Sequence, residues 1–357
     1  MASLTRPHER ALTLLFAEIG EIVGRHRQVL LGTPGSLDER TNENGTRFWV
    51  RRYSDAVGRR LETYLGTQDD PEVVREISGL EDQIAATNAI ISQVRLLARA
   101  GFVTVDRKAF YTLASLHNHG LFRTGALVIG SHAYGALLNA LGVKAVGYTT
   151  EDVDIARHEQ LALPGVPPFI EMLRETGIDF FEVPALDARQ PSTSFAEPGG
   201  SRLRVDLLVP SRGEDYPTIA VPELKAHATG LPYLAYLLGA SQELPILSSH
   251  GAVLVRVPLP ERYAVHKLMV SQLRAKTSAK PEKDLRQAAI LIDALAERFP
   301  GAVEDALKAV PKSASKLIKL GKKALERHLP QTAAAAWVSR LIESVSHRIG
   351  FCGINPE

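Results

Sequence analysis

The sequence predicts an α+β fold: a mixed sheet with helices, flanked by an N-terminal helix and β-hairpin region and by a C-terminal helical domain. Three observations lead there. Between Gly125 and Val257, short apolar runs of strand length alternate with helical patterns. At 44–66, aromatic and aliphatic residues alternate with arginines around a turn. From 258 onward the apolar residues recur at helical spacing. A chain of 357 residues is too long for one small core, and we divide it at 1–105, 106–257 and 258–357.

The elements follow in order. Leu12, Leu15, Phe16, Ile19, Ile22 and Val23 predict an amphipathic helix over 7–31, ended by GTPGS. The segment NGTRFWVRRYSDAVGRRLETYLG predicts the hairpin of 44–66. Asp69-Asp70-Pro71 opens a long helix over 70–100, and a shorter one follows at 107–119. His117 and His119 end it, and residues two apart on a helix face different ways, which argues against a shared metal. ALVIG is a buried strand and HAYGALLNALG a short helix. DVDIA is a strand, PPFIEMLRETG a helix, and IDFFEVP, LRVDLLVP and GAVLVRVP are strands. Helices are expected at 260–276, 281–298, 301–309, 312–328 and 331–347.

Composition narrows the function. Hydrophobic residues at 45% and charged residues at 23% are those of a folded globular chain. A net charge of +2 gives no general case for nucleic acid, so any such case must come from local clusters. Two exist. Arg47, Arg51, Arg52, Arg59 and Arg60 lie beside Trp49, Tyr53 and Tyr64 in the hairpin, a mixture that pairs with phosphates and stacks on bases. Lys312, Lys316, Lys319, Lys323 and Arg327 form a stripe on one helix. The plainer reading of each, and the preferred one, is a solvated face. The single cysteine, Cys352, excludes a disulfide framework or a cysteine zinc site within one chain. No apolar run reaches about 18 residues and the N-terminal patch is too interrupted for a signal peptide, so a cytoplasmic protein is expected.

The chemistry starts at Asp152 and Asp154. Two apart on a strand, they share a face, repel and raise each other's pKa. A divalent cation removes the repulsion, and Mg²⁺ suits one or two carboxylates plus substrate phosphates. In RLRVDLLVP, Leu203, Val205 and Leu207 share one face while Arg204 and Asp206 share the other. If that strand lies beside the first, the three acids converge, and three carboxylates can hold two metals about 4 Å apart. Arg157, Arg202 and Arg204 stand close enough to make plain ion pairs with these acids instead. Gly130-Ser131 closes a strand and opens a helix. The glycine permits close backbone approach, and free N–H groups there suit a phosphate. His132 is open to a phosphate contact or to capping or packing the helix, Tyr134 is read as packing, and Asp179 and Glu182 as surface acids; all four are left out of the catalytic set.

Strand, Gly-Ser, helix, Asp-x-Asp and a later strand acid together resemble the motif set of the nucleotidyltransferase superfamily, with its polymerase-beta-like fold. RTGALVIGSHAYGALLNALGV and TEDVDIA, preceded by RFWVRRY and YLG, are more particularly similar to a bacterial subgroup of nucleotidyltransferase-fold proteins. The resemblance covers residues 40 to 210 and is looser afterwards. It implies that Gly130 and Ser131 bind nucleotide phosphates, that Asp152 and Asp154 bind Mg²⁺, with Mn²⁺ as a substitute, and that Asp206 is either a third metal ligand or the base for the acceptor hydroxyl. RYAVHKLMVSQLR and EKDLRQAAILIDAL resemble the helical segment of AbiE-type toxin nucleotidyltransferases. That likeness implies that Lys267 reaches the triphosphate and that Asp284 lies near the active site; a surface lysine and a first-turn helix acid are the plain alternatives. The expectation is Mg²⁺-dependent transfer of NMP from an NTP to an acceptor hydroxyl on RNA, protein or a small molecule. The arginine hairpin and the lysine stripe together tilt the acceptor slightly toward RNA. A non-catalytic nucleotide- or RNA-binding module is the rival, with a homodimer and a toxin role as further expectations.

Overall fold

A computed structural model describes residues 4–145, 151–187, 189–200, 203–213, 216–273 and 280–328, with 334 and 337. β1 (Arg6–Pro7) leads into α1 (Arg10–Arg25), which buries Phe16, Ile19 and Val23. The expected helix of 7–31 thus stops at Arg25. Asn118 holds Val29 by both backbone groups, its Oδ1 accepting from Val29 N at 2.8 Å and its Nδ2 donating to Val29 O at 2.9 Å, which takes the chain off the helical path.

The expected hairpin is part of a three-stranded antiparallel sheet: β2 (Ser36–Thr41), β3 (Arg47–Ser54) and β4 (Arg60–Thr67). β2 reads SLDERT and has no apolar alternation to announce it. Charge holds it: Asp38 pairs with Arg52, Glu39 with Arg47 at 3.3 Å, and Arg40 reaches Glu62 at 2.6 Å. α2 (Pro71–Arg99) begins where the Asp70 side chain accepts from Glu72 N at 2.8 Å. α3 (Arg107–Asn118) begins on Asp106, which accepts from Lys108 N and Ala109 N.

Next come β5 (Ala126–Ile129), α4 (Gly130–Ala140), β6 (Val143–Lys144), β7 (Asp152–Arg157) and α5 (Phe169–Arg174). β8 (Phe181–Glu182), β9 (Ser194–Ala196), β10 (Arg204–Ser211), β11 (Thr218–Val221) and β12 (Ala226–Pro232) follow. Short α6 (Leu234–Leu238) leads to β13 (Ser241–Ser248) and β14 (Gly251–Pro258). β6 pairs with β1. The main sheet is mixed, in the order β11-β12-β10-β7-β5, with β9 on β10 and β8 on β9. β10 is its hinge strand. Arg204–Leu208 run parallel to β7, Arg204–Asp206 run antiparallel to β9 on the other side, and Leu208–Ser211 continue parallel to β12. One face buries Val128, Val153, Phe195 and Val205 in the main core.

Two strand expectations change. GAVLVRVP forms β14 but stays out of the mixed sheet and pairs with β13 from Ser241↔Pro258 to Ser248↔Gly251. A two-residue connection puts β13 next to it at minimal loop-closure cost, which a distant sheet edge cannot match. IDFFEVP contributes only Phe181–Glu182. The helices of the first hundred residues also have no core to themselves. Phe16, Ile19, Val23, Ile90, Val94, Leu97 and Phe102 pack with Leu247 of β13 and Ala252 of β14.

The C-terminal region is helical: α7 (Pro260–Leu273), α8 (Lys280–Arg298), α9 (Ala302–Lys308) and α10 (Ser315–His328) after a 3-10 turn at Lys312–Ala314. The helix expected at 331–347 lies, apart from Ala334 and Trp337, outside the described residues, as does Cys352. α10 meets α7 at Gly321, where a Cβ would lie 2.5 Å from the Leu268 carbonyl oxygen. In the first turn of α4, His132 is 6% exposed. Burial holds its pKa down at about 4, against an opposing pull from Asp106, with Lys283 adding to the depression.

Two outcomes are expected. Alanine normally stabilises a helix over glycine by about 1 kcal/mol. At Gly321→Ala the backbone contact with α7 reverses the sign, and denaturant unfolding reads a net loss of about 1–3 kcal/mol. His132, ordinary in the unfolded chain and depressed to about 4 in the fold, contributes stability that is present above pH 6.5 and lost as pH falls toward 4. A His132→Gln variant flattens the decline of the urea midpoint across that window.

Candidate nucleotide and metal site

The sheet face opposite the core carries the acids. In parallel strands, directly paired residues share a face, so register decides which side chains meet. Asp206 of β10 pairs with Asp154 of β7, Ile129 of β5 pairs with Asp154 from the other side, and Ser194 of β9 pairs with Asp206. One row across four strands therefore reads Ile129, Asp154, Asp206, Ser194. The row beside it holds Asp152 opposite Arg204. The structure brings Asp152, Asp154 and Asp206 to one face, at the starts of β7 and β10 and the end of β5.

Gly130 follows Ile129 directly and opens α4 with φ +66. A Cβ there would stand 2.0 Å from Asp154 Oδ2. Only glycine admits both that backbone conformation and the carboxylate pressed against it. The first N–H groups of α4 and the Ser131 hydroxyl thus begin beside Asp154. They form the positive end of a helix next to carboxylates, an arrangement suited to a metal-bridged phosphate.

The C-terminal helices back this turn. Tyr263 of α7 donates its hydroxyl to Gly130 O at 2.8 Å. Lys283 of α8 donates to Ser131 Oγ at 3.0 Å. Lys267 and Asp284 form an ion pair at 2.6 Å, with side chains 12% and 3% exposed. Lys267 is therefore no surface lysine, and Asp284 is a buried acid with a buried partner rather than a solvated first-turn acid. Leaving such an acid uncompensated costs about 3–5 kcal/mol. The lysine that touches the Gly-Ser turn is Lys283, which motif reading passes over for its neighbour Asp284. A usable signal was present: Lys280, Lys283, Asp284 and Gln287 recur at helical spacing on one face of α8. Ser194 was also passed over. It sits on a three-residue strand with no periodicity to read, and it donates to Asp206 Oδ1.

The electrostatics follow from the rows. The Asp152 carboxyl is held above the usual carboxylate range, first by partial burial and then by Asp206, while Arg204, Lys280 and Lys283 pull it down. Arg204 pairs with Asp206 at 2.8 Å, so for Asp206 the plain ion pair considered from sequence is present. Arg157 pairs with Glu223 at 3.0 Å instead, and Arg202 lies outside the described residues. Among the described residues no group of three or more His, Cys, Asp or Glu side chains is arranged to hold a metal ion. The donor set of Asp152 and Asp154 nonetheless fits Mg²⁺: hard carboxylate oxygens on one face, with the Asp152 pKa raised by burial first and by Asp206 second, which a cation would relieve.

The arginine cluster is largely spoken for. Arg47 pairs with Glu39, Arg52 with Asp38, and Arg59 with Asp55 at 2.8 Å. Arg51 donates to the carbonyls of Thr33 and Pro34 and lies 4.4 Å over the Tyr53 ring. These contacts answer to folding of the three-stranded sheet and weaken the case for that surface as an RNA platform. Arg60 is exposed on β4, and Lys312 of the 3-10 turn and Lys316, Lys319, Lys323 and Arg327 of α10 are all exposed. His117 Nδ1 binds the Leu254 carbonyl at 2.9 Å and His119 Nε2 binds Glu175 at 2.8 Å. No helix among the described residues is long and apolar enough to cross a membrane.

A comparison with curated proteins finds none that matches. A family model described as nucleotidyltransferase matches residues 108–311, a span that runs from α3 through the acid rows and both backing helices. That span exceeds half of the 357 residues, and the chain belongs to this nucleotidyltransferase family.

Proposed function

We propose that the protein transfers a nucleoside monophosphate from an NTP to an acceptor hydroxyl and releases pyrophosphate, with Mg²⁺ held by Asp152 and Asp154. The observation that carries the reading is the register that sets Asp154 between Asp206 and the Ile129–Gly130 turn. It joins the metal ligands, the phosphate-binding helix start and a third acid on one surface. The bound ion supplies charge neutralisation at the phosphate oxygens.

The chain's own residues do the rest. The N–H groups at the start of α4 and Ser131 hold the triphosphate, and Lys283 places a positive charge on Ser131. Asp206 takes the proton of the acceptor hydroxyl. The hydroxyl oxygen bonds to the α-phosphorus in line with the departing group, the bond from that phosphorus to the bridging oxygen breaks, and pyrophosphate leaves with its electrons. Most of the rate comes from positioning and preorganised charge. Lys267, buried against Asp284, acts through the placement of α7 and α8 rather than by reaching the phosphates. A polyanionic acceptor would meet the exposed stripe of α10 more readily than the internally paired arginines of the three-stranded sheet. The subgroup likenesses, including the toxin role, are consistent with this reading and are not needed for it.

The test is transfer of label from each of the four α-labelled NTPs, with Mg²⁺, into RNA, protein and small-molecule fractions. Asp154→Ala is expected to lower transfer by more than about 100-fold. Full transfer by that variant removes Asp154 from the site, and nucleotide binding without transfer to any fraction makes the protein a binding module. Asp152→Asn carries a second expectation. Because the fold raises this carboxyl's pKa, its charge costs stability above the unfolded pKa and protonation relieves the cost as pH falls. Without divalent cations the variant melts above the parent protein at pH 7, and the gap closes as pH drops through the carboxylate range. A lower melting temperature at pH 7 contradicts the cost that burial and Asp206 place on this charge.

A further inference from the structure

Arg204 is the cation already present in the acid rows. It stands opposite Asp152 in register and two residues before Asp206 on the same strand, so its side chain leaves the sheet on the face that carries all three acids. Its Nε donates to Asp206 Oδ1 at 2.8 Å and its Nη2 donates to Ser194 Oγ at 2.6 Å. Ser194 in turn donates to the same Asp206 oxygen. The three side chains close a triangle. Ser194 is 5% exposed, and Ser192 Oγ donates to its carbonyl at 2.7 Å, which fixes the backbone at this position.

We propose that Arg204 and Ser194 withdraw Asp206 from the metal's ligand set, so that this enzyme holds one divalent cation on Asp152 and Asp154 where three carboxylates would suffice for two. The inference rests on the reading of the acid rows as the metal site. A second divalent ion near Asp206 would face a guanidinium already bonded there, and like charges a few ångströms apart repel strongly where water is partly excluded. The fork geometry of arginine suits the task, since one group restrains the acid and its serine neighbour together. Arg204 is then a positioning residue. It fixes the orientation of the proton-accepting carboxylate and replaces the second ion as its counter-charge. Its side chain is 47% exposed, so the fold does not depend on burying it.

The experiment counts Mn²⁺ bound per full-length chain by electron paramagnetic resonance, without nucleotide, after thermal melting confirms that each variant folds. The parent protein is expected to bind one ion, Asp206→Asn one, and Arg204→Lys one. Arg204→Gln, which releases Asp206 and removes the charge, is expected to bind two. Two ions on the parent protein, reduced to one by Asp206→Asn, overturn the proposal, because Asp206 is then a ligand. A count of one in Arg204→Gln also overturns it, because the guanidinium then excludes nothing. No binding by the parent protein, or binding unchanged in Asp154→Asn, sinks the metal-site reading itself and is distinct from either result. The conservative lysine variant separates loss of charge from loss of the arginine's shape.

Discussion

The parallel pairing of β7 with β10 is the constraint on which the rest depends. Strands this far apart in sequence gain nothing from local closure, and their pairing is set by burial of Val153 and Val205 on the core face. Once those valines are fixed, the pleat leaves no choice for the alternate positions. Asp154 and Asp206 must project together, and so must Asp152 and Arg204. A one-residue slip would bury the acids and expose the valines. The hydrophobic core thereby enforces an arrangement that electrostatics alone opposes.

Charge is then managed by neighbours of graded distance. Arg204 and Ser194 restrain Asp206 directly. Lys280 and Lys283 act on Asp152 from α8, and Lys283 also fixes the Ser131 hydroxyl. Beneath them the buried Lys267–Asp284 pair and the Tyr263 hydroxyl on Gly130 O tie α7 and α8 to the Gly-Ser turn. The C-terminal helices are thus a wall of the site. Gly130 is the joint at which wall, helix start and carboxylate meet, and it tolerates no larger residue because Asp154 occupies the space of a side chain.

The first hundred residues show the opposite use of charge. The arginines of the three-stranded sheet meet Asp38, Glu39, Asp55 and Glu62 within that same region, so much of the cluster that looks like a polyanion platform in one dimension is consumed in three. Exposed pairs of this kind contribute little individually, but they give β2 a reason to pair where apolar patterning gives none.

What the sequence determined by itself was whatever is local. The cap of α2, the helical periods, the strand that ends at Gly130, and the chemical identity of three acids and a Gly-Ser turn were all legible, because each is written within a few residues. Tertiary structure decided which distant residues share a row. It put Ser194 beside Asp206, Lys283 beside Ser131 and Lys267 onto Asp284. Short strands such as β9 carry no period, and side-chain partners on separate elements, here 12, 17 and 152 residues apart, leave no mark on either segment. Their meeting is fixed by core packing and sheet register, which are properties of the whole chain.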